Sequence, residues 1–262
     1  LGEVIQAATV GTVEASEHPK FKVGDWVAAA FGWQEWAASD GRGIRIVPDN
    51  GLSPSTAIGV LGIPGLTAYF GMRGIGAPRP GETVLVTSAA GAVGSAAGQI
   101  AMIRGARVVG VAGGPSKCAW LTADLGFAAA IDHRAVTDMT AAVAAACPEG
   151  VDVLFDNVGN AMIDSVLPLM KRGGRIVVCG QMADYNRPAD EATGLRNTRA
   201  FIGQRLTMRG LVAFDHVREY PQAWAEMTEW IRDGRLKFRE DIVDGFEHLP
   251  PAFIGLFTGE NF

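Results

Sequence analysis

The stretch from Thr83 to Ser95 reads TVLVTSAAGAVGS, an apolar run followed by a glycine-containing loop and small residues. Its second part has the pattern A-x-G-x-x-G, which is the dinucleotide fingerprint with alanine at the first glycine. Gly91 allows the backbone to approach a pyrophosphate, and Gly94 allows the helix to pack closely on the strand. Amide groups and the dipole at the start of that helix attract phosphate. The alternative is a plain tight turn between a strand and a helix.

The flanking sequence repeats the same alternation of strand and helix between Gly81 and Phe214. Strands buried on both faces lack an apolar–polar alternation, and parallel strands need helical crossovers. The pattern predicts a doubly wound parallel sheet of the α/β class, with a polar interruption at 181–205 and one more short strand at Asp241 to Phe246. The predicted strands lie at 83–86, 107–111, 128–131, 151–155, 174–179 and 206–213, and the helices near 93–104, 116–125, 136–146 and 160–171.

The first sixty residues are different, because short apolar runs and glycine turns predict a small β-barrel or sandwich. Here Trp33 and Trp36 are candidates for a substrate pocket, although a place in the barrel core is the simpler interpretation.

Composition narrows the class of protein. A net charge of -5 disfavours nucleic acid as the main partner, since binding phosphate backbones needs a basic face. Three cysteines argue against a disulfide framework and favour the cytoplasm. No uncharged stretch reaches the roughly 18 apolar residues of a membrane span. Glycine accounts for 34 of the 262 residues, so close backbone approaches and turns are expected in number.

The ends of the later strands carry further signals of a cofactor. A site for NAD places an acidic residue after the second strand, where it binds the ribose 2′-hydroxyl. This chain has Gly113 and Gly114 there, followed by Lys117, which favours a 2′-phosphate and therefore NADP(H). Asn157 follows the fourth strand, where its amide would reach the nicotinamide ribose, and Cys179 follows the fifth. A small buried residue is a simpler interpretation of Cys179 than a redox thiol.

Taken in order, several segments resemble the zinc-independent medium-chain dehydrogenase/reductase superfamily, in its branch of alkenal/prostaglandin and curcumin reductases. The resemblance implies a Rossmann NADP-binding domain at 63–242, a partial β-rich GroES-like substrate domain at 1–62, and a return to that domain at 243–262. It also implies a fragment that lacks residues at both ends. The segments are 23–27, 32–35, 62–69, 89–94, 156–159, 179–180 with 185–186, and 259–262.

The resemblance also implies the residues around NADPH. The glycine loop would hold the pyrophosphate, Lys117 would meet the 2′-phosphate, and His133 stands where the family often has a tyrosine near the adenosine. The full set is Gly91, Ala92, Val93, Gly94, Lys117, His133, Asn157, Cys179, Gly180, Tyr185, Leu211, Val212, Ala213 and Asn261.

The implied activity is hydride transfer from NADPH to the carbon–carbon double bond of an α,β-unsaturated ketone or aldehyde. A tyrosine or water would deliver the proton. Tyr185 is the candidate catalytic residue, although binding the cofactor is a simpler interpretation of it, while Tyr69 and Tyr220 are expected to be structural. Gly203 stands where prostaglandin reductases carry a tyrosine, which favours a curcumin or general enone substrate. The alternatives are a quinone reductase of the same fold and a non-catalytic NADPH-binding protein. Family members often pair as homodimers along the last strand of the sheet.

Zinc alcohol dehydrogenases are the nearest rival class. They would carry four closely spaced cysteines after Val27 and a further cysteine near Gly62, and neither is present. Cys118, Cys147 and Cys179 lie too far apart in sequence for a ligand cluster, so no metal site is expected.

Overall fold

A computed structural model of the protein describes residues 2–191 and 194–259. Its larger part is built on one sheet of six parallel strands in the order β6-β5-β4-β7-β8-β9, which confirms the predicted doubly wound α/β fold. The strands are β4 (Thr83–Val86), β5 (Arg107–Ala112), β6 (Ala129–Asp132), β7 (Val151–Asp156), β8 (Met170–Val178) and β9 (Thr207–Gly210).

The three central strands form the core of this sheet. Every residue of β4 and β7 is buried, and in β5 only Arg107 is exposed. Valine and leucine therefore occupy both faces, because helices cover the sheet on both sides. From β4 the chain first adds strands on one side of the sheet, β5 and β6, and then adds β7, β8 and β9 on the other side. At such a switch point, here between β4 and β7, a cleft opens at the carboxyl ends of the strands.

Eight α-helices are present in the described residues. The helices are α1 (Ile63–Phe70), α2 (Ala92–Ile103), α3 (Pro115–Ala119), α4 (Met139–Ala146), α5 (Asn160–Val166), α6 (Arg199–Gln204), α7 (Tyr220–Arg232) and α8 (Leu249–Thr258). Shorter π-helical turns extend α1 and α3, at Gly71–Gly76 and Trp120–Asp124.

The β-rich first part forms a separate sheet of three antiparallel strands, β1 (Thr9–Thr12), β2 (Trp26–Ala29) and β3 (Arg45–Ile46). This small sheet fits the expected GroES-like part. The domain limits at residues 62 and 242 stay predictions, although α1 begins at Ile63, close to the first of them.

Two predicted elements are wrong. Asp241 to Phe246 forms no strand, and its residues are exposed. Its alternating apolar residues lack a neighbouring strand to pair with, and a strand needs such pairing. The helix predicted to reach residue 171 ends at Val166, passes through a 3-10 turn at Leu167–Leu169, and gives way to β8 at Met170.

No helix in the described part of the chain is long and apolar enough to cross a membrane.

The helix α2 needs small residues because it packs very closely against buried side chains, such as that of Phe127. A Cβ atom on Gly98 would lie 2.1 Å from Cζ and 2.7 Å from Cε2 of Phe127, whose ring is buried. We therefore expect Gly98→Ala to lower the free energy of unfolding by about 1–3 kcal/mol, since the ring must shift within a packed core.

The control is Gly74→Ala, because a Cβ at Gly74 meets no atom within 4 Å. We expect this variant to leave the stability unchanged or raise it by up to about 1 kcal/mol. Urea unfolding of both variants measures the difference, and equal stability of the two would contradict the tight packing of α2.

Candidate active site

The glycine loop joins β4 to α2 at the edge of the cleft. Ser88 adopts a left-handed conformation with φ of 48°, and its carbonyl oxygen accepts a hydrogen bond from the Gly91 amide at 3.0 Å. A Cβ atom on Gly94 would lie 2.3 Å from the same oxygen, so only glycine permits this approach. Gly91 caps α2 without a side-chain hydrogen bond, and the first turn contains no acidic residue. The start of α2 thus remains suited to a phosphate group.

A hydrogen-bonded network spans the neighbouring ends of β4 and β7. The Thr87 hydroxyl donates to Oδ1 of Asp156 at 2.8 Å and accepts from the backbone amide of Asn157 at 2.8 Å. The Asn157 side-chain nitrogen donates to the Thr87 carbonyl at 2.7 Å. All three residues are buried, so these bonds are shielded from competition by water.

Asp156 also organises the turn that follows β7. Its Oδ2 accepts the backbone amide of Gly159 at 2.7 Å. Burial raises the pKa of this carboxyl to about 6, although the hydrogen bonds from Thr87, Gly159 and Val158 act in the opposite direction. The group is therefore ionised at neutral pH inside the protein, at the base of the cleft.

The predicted role of Asn157 at the nicotinamide ribose stays a prediction. One N–H of its side-chain amide donates to the Thr87 carbonyl at 2.7 Å, and Oδ1 accepts no hydrogen bond from the described residues. The second N–H and the oxygen are both available to a ligand.

Tyr185 lies next to the same turn. The backbone amides of Met182 and Ala183 donate to the carbonyls of Asn157 and Val158, at 3.2 and 3.0 Å. The Tyr185 hydroxyl lies 3.5 Å from the Gln181 amide and would lie 3.2 Å from a Cβ on Gly180. Asn157, Gly180 and Tyr185 are thereby brought together, and 64% of Tyr185 is exposed.

The other residues predicted for the nicotinamide side lie at the ends of β8 and β9. Cys179 is half-buried, and burial raises the pKa of its thiol to about 12, so it is a packing residue and not a reactive thiolate. The Leu211 amide donates to the Val178 carbonyl at 3.2 Å. Val212 is exposed and Ala213 is buried.

The residues predicted for the adenosine side lie at the ends of β5 and β6, where Lys117 and Arg134 form a cationic cluster beside His133. A Cβ on Gly113 would lie 2.8 Å from Nε2 of His133 and 3.0 Å from Nε of Arg134, so both side chains cover this glycine. The half-buried Lys117 lies nearby, and its pKa is lowered by burial and by the charge of Arg134. Asp132 accepts the Gly114 amide at 2.8 Å, which fixes the turn.

The end of α8 lies against this cluster. Lys117 donates to the Gly259 carbonyl at 2.9 Å, and Arg134 lies 3.4 Å from the Thr258 carbonyl. Both cations thus face carbonyl oxygens at the end of α8. Asn261, the last residue of the predicted set, lies outside the described residues.

A cavity of about 530 Å³ opens beside the glycine loop. Ala90, Ala92 and Ser95 line one side, while Trp33 and residues of α8 line the other. Trp33 packs edge-on against Phe253, with the ring centroids 5.7 Å apart. Trp36 is 74% exposed, so it does not belong to a barrel core. A larger cavity of about 900 Å³ lies in the β-rich part and contains none of the predicted cofactor residues.

The other two tyrosines are structural, as expected. Tyr69 is buried and donates its hydroxyl to Glu226 at 2.8 Å. Burial, and to a smaller extent this hydrogen bond, raise the pKa of Tyr69 to about 12. Tyr220 is also buried, within the core beneath α7. Within residues 2–191 and 194–259, no group of three or more His, Cys, Asp or Glu side chains is arranged to bind a metal ion.

Three residues of this region are absent from the predicted set. Thr87 and Asp156 directly follow the predicted strands at 83–86 and 151–155 and were given no role of their own, and the sequence favoured an exposed charge for Arg134. A polar residue at the carboxyl end of an otherwise apolar strand was the available signal for the first two, because such a position faces the cleft.

Comparison with known proteins identifies the family. The model of the family "Zinc-binding dehydrogenase" matches residues 92–232, and "N-terminal domain of oxidoreductase" matches residues 1–47. An Escherichia coli protein named NADPH-dependent curcumin reductase is 40% identical over 267 residues, which cover all of this chain and 77% of the relative. The NADP(+)-dependent 2-alkenal reductase of Nicotiana tabacum is 37% identical, over 99% of this chain and 76% of its own.

Among solved structures, CurA from Vibrio vulnificus in complex with NADPH matches with a TM-score of 0.92 and 42% identity, over 99% of this chain and 78% of that chain. The similarity thus extends over both sheets and the glycine loop. The chain therefore belongs to the zinc-binding dehydrogenase family, in the branch that contains the curcumin, alkenal and prostaglandin reductases.

Proposed function

We propose that this protein is an NADPH-dependent oxidoreductase that reduces the carbon–carbon double bond of α,β-unsaturated ketones or aldehydes without zinc. The observation that carries the proposal is the similarity, over the full chain, to relatives named NADPH-dependent curcumin reductase and 2-alkenal reductase. The glycine loop and the cationic cluster of Lys117 and Arg134 beside His133 support it, because together they suit a pyrophosphate and a 2′-phosphate.

The cofactor-binding residues divide between the two ends of the cleft. The backbone of Gly91 to Gly94 receives the pyrophosphate at the start of α2, and the cationic cluster receives the 2′-phosphate. Oδ1 of Asn157 and the backbone near Gly180 border the nicotinamide ribose. Leu211, Val212 and Ala213 line the nicotinamide end, and Asn261, which lies outside the described residues, stays in the proposed set.

When bound, NADPH supplies the hydride that reduces the β-carbon of the enone. Negative charge then develops on the carbonyl oxygen, and hydrogen-bond donors stabilise it in place of a metal ion. The α-carbon needs a proton, which Tyr185 delivers from its hydroxyl. Because Tyr185 is largely exposed, water replaces that proton after each turnover.

Turnover by the purified full-length protein tests the activity. We expect oxidation of NADPH with an aliphatic enone and slower or no oxidation with a quinone, followed by absorbance at the NADPH band. Tyr185→Phe should lower kcat about 100-fold or more with the enone, the size of a lost general acid. Faster turnover of the quinone would favour a quinone reductase, and tight NADPH binding without any turnover would favour a binding protein.

The preference for NADPH over NADH depends on the cationic cluster. We expect Lys117→Ala to weaken NADPH binding by about tenfold or more, while NADH binding changes little, because only NADPH carries the 2′-phosphate. Lys237→Ala is a matched control, since this lysine donates to the Asp124 carbonyl and belongs to none of the predicted site residues. Dissociation constants from fluorescence titration measure the effect, and equal weakening of both cofactors by Lys117→Ala would contradict the assignment.

The protein pairs as a homodimer along β9. The outer edge of β9 has no strand partner among the described residues, so its unpaired backbone groups can bind a strand of a second copy. Ile202, Val212, Phe214 and Val217 lie in the flanking segments and are all more than half exposed. Light scattering of the full-length protein should therefore give twice the monomer mass, and a stable monomer would contradict this pairing.

A cytoplasmic location fits the three thiols. Cys118, Cys147 and Cys179 are all free, as expected in a reducing compartment. Cell fractionation that recovers the protein in an oxidising compartment would contradict this location.

A further inference from the structure

The carboxylate of Asp156 lies where two loops of the cleft meet. One of its oxygens accepts from Thr87, the residue just before the glycine loop, and the other accepts from Gly159 in the turn after β7. The side chain is fully buried, at 0% exposure, so it cannot touch substrate or cofactor directly. Any role in the reaction must therefore act through the residues that it holds.

The turn after β7, which the Asp156 carboxylate binds, is hydrogen-bonded to the nicotinamide side of the cleft. Gly159 has a φ of 125°, and its amide points back to Asp156. The carbonyls of Asn157 and Val158 then accept the amides of Met182 and Ala183, and the segment leads to Tyr185. The amide of Cys179 and that of Gly180 donate to the Asp156 carbonyl at 2.8 and 3.3 Å. One residue thus organises both walls of the nicotinamide side.

The adenosine side is held by other groups. Asp132 binds the Gly114 and Arg134 amides at 2.8 and 3.0 Å, and Lys117 and Arg134 supply the charge. The strands there are β5 and β6, on the opposite side of β4 from β7. A change at Asp156 therefore leaves the adenosine side in place.

We propose that Asp156, through its hydrogen bonds to Thr87 and Gly159, is a positioning residue that sets the nicotinamide half of the cofactor for hydride transfer. This inference rests on the proposed function. Asp156 then contributes to the reaction through the residues that it holds in place, without touching the cofactor or the substrate.

The test compares a whole cofactor with its adenosine half. Asp156→Asn keeps the shape of the side chain but removes the charge that accepts hydrogen bonds from Thr87, Gly159 and Val158. We expect about tenfold weaker NADPH binding and at least tenfold slower hydride transfer in a single turnover, the size of one lost charge-assisted hydrogen bond. Binding of adenosine 2′,5′-bisphosphate, which lacks the nicotinamide half, should change by less than about twofold.

Two variants of Thr87, the partner of Asp156, test the same hydrogen bond without changing the carboxylate. Thr87→Val removes the hydroxyl at nearly constant volume, and Thr87→Ser retains it. We expect the valine variant to reproduce the effect of Asp156→Asn and the serine variant to restore NADPH binding and hydride transfer to near those of the unmodified protein.

Asp152→Asn is the matched control. Asp152 is also buried, is the second residue of the same strand β7, and accepts the Thr83 amide of β4 at 2.8 Å. It lies at the opposite end of the strand from Asp156. It also pairs with Lys171 at 3.0 Å. We expect this variant to lose thermal stability while both ligands bind as before and the hydride-transfer rate is unchanged.

Two results would overturn the inference. Unchanged NADPH binding and hydride transfer in Asp156→Asn would show that the carboxylate positions nothing, and equal weakening of both ligands would show a general structural role. Failure of the proposed function is separate, because the unmodified protein would then fail to bind NADPH or to reduce an enone before any variant is made.

Discussion

The close approach of α2 to the end of β4 is the constraint on which the rest of the structure depends. Gly94 lies so near the Ser88 carbonyl that no side chain fits between them, and Ser88 accepts an unfavourable left-handed backbone to make the turn. This places the start of α2 directly over the carboxyl edge of the sheet. Gly98 continues the same close packing one turn later, against Phe127.

From that point the cleft divides into two sides with different chemistry. On the side of β5 and β6, Lys117 and Arg134 provide positive charge at the surface. On the side of β7 and β8, the polar groups are buried, and backbone amides and carbonyls of neighbouring turns bind one another. A dinucleotide has two corresponding parts. Its phosphates are charged and pair with cations, whereas the nicotinamide ring must be held in a defined orientation for hydride transfer.

The sequence predicted those features that depend on neighbours along the chain. The fingerprint at Gly91 and Gly94 and the six apolar runs located the sheet and its phosphate-binding turn, because strand, turn and helix follow one another directly. The false strand at 241–246 arose because a strand also needs a pairing partner, which its own residues do not reveal. The hydrogen bond between Thr87 and Asp156 was not predicted for a related reason, since the two partners are 69 residues apart in sequence and meet only through the order of the strands.

The burial of Asp156 has a thermodynamic consequence. Its pKa is about 6 in the folded protein against 3.8 without burial, so between these values the folded state binds more protons than the unfolded state. Above pH 6 the ionised carboxylate therefore lowers the free energy of unfolding by about 3 kcal/mol, and this cost disappears as the pH falls toward 4. At neutral pH the fold is thus less stable than its packing alone would allow. The packing of the rest of the core must therefore offset the free-energy cost of keeping a charge at the base of the cleft.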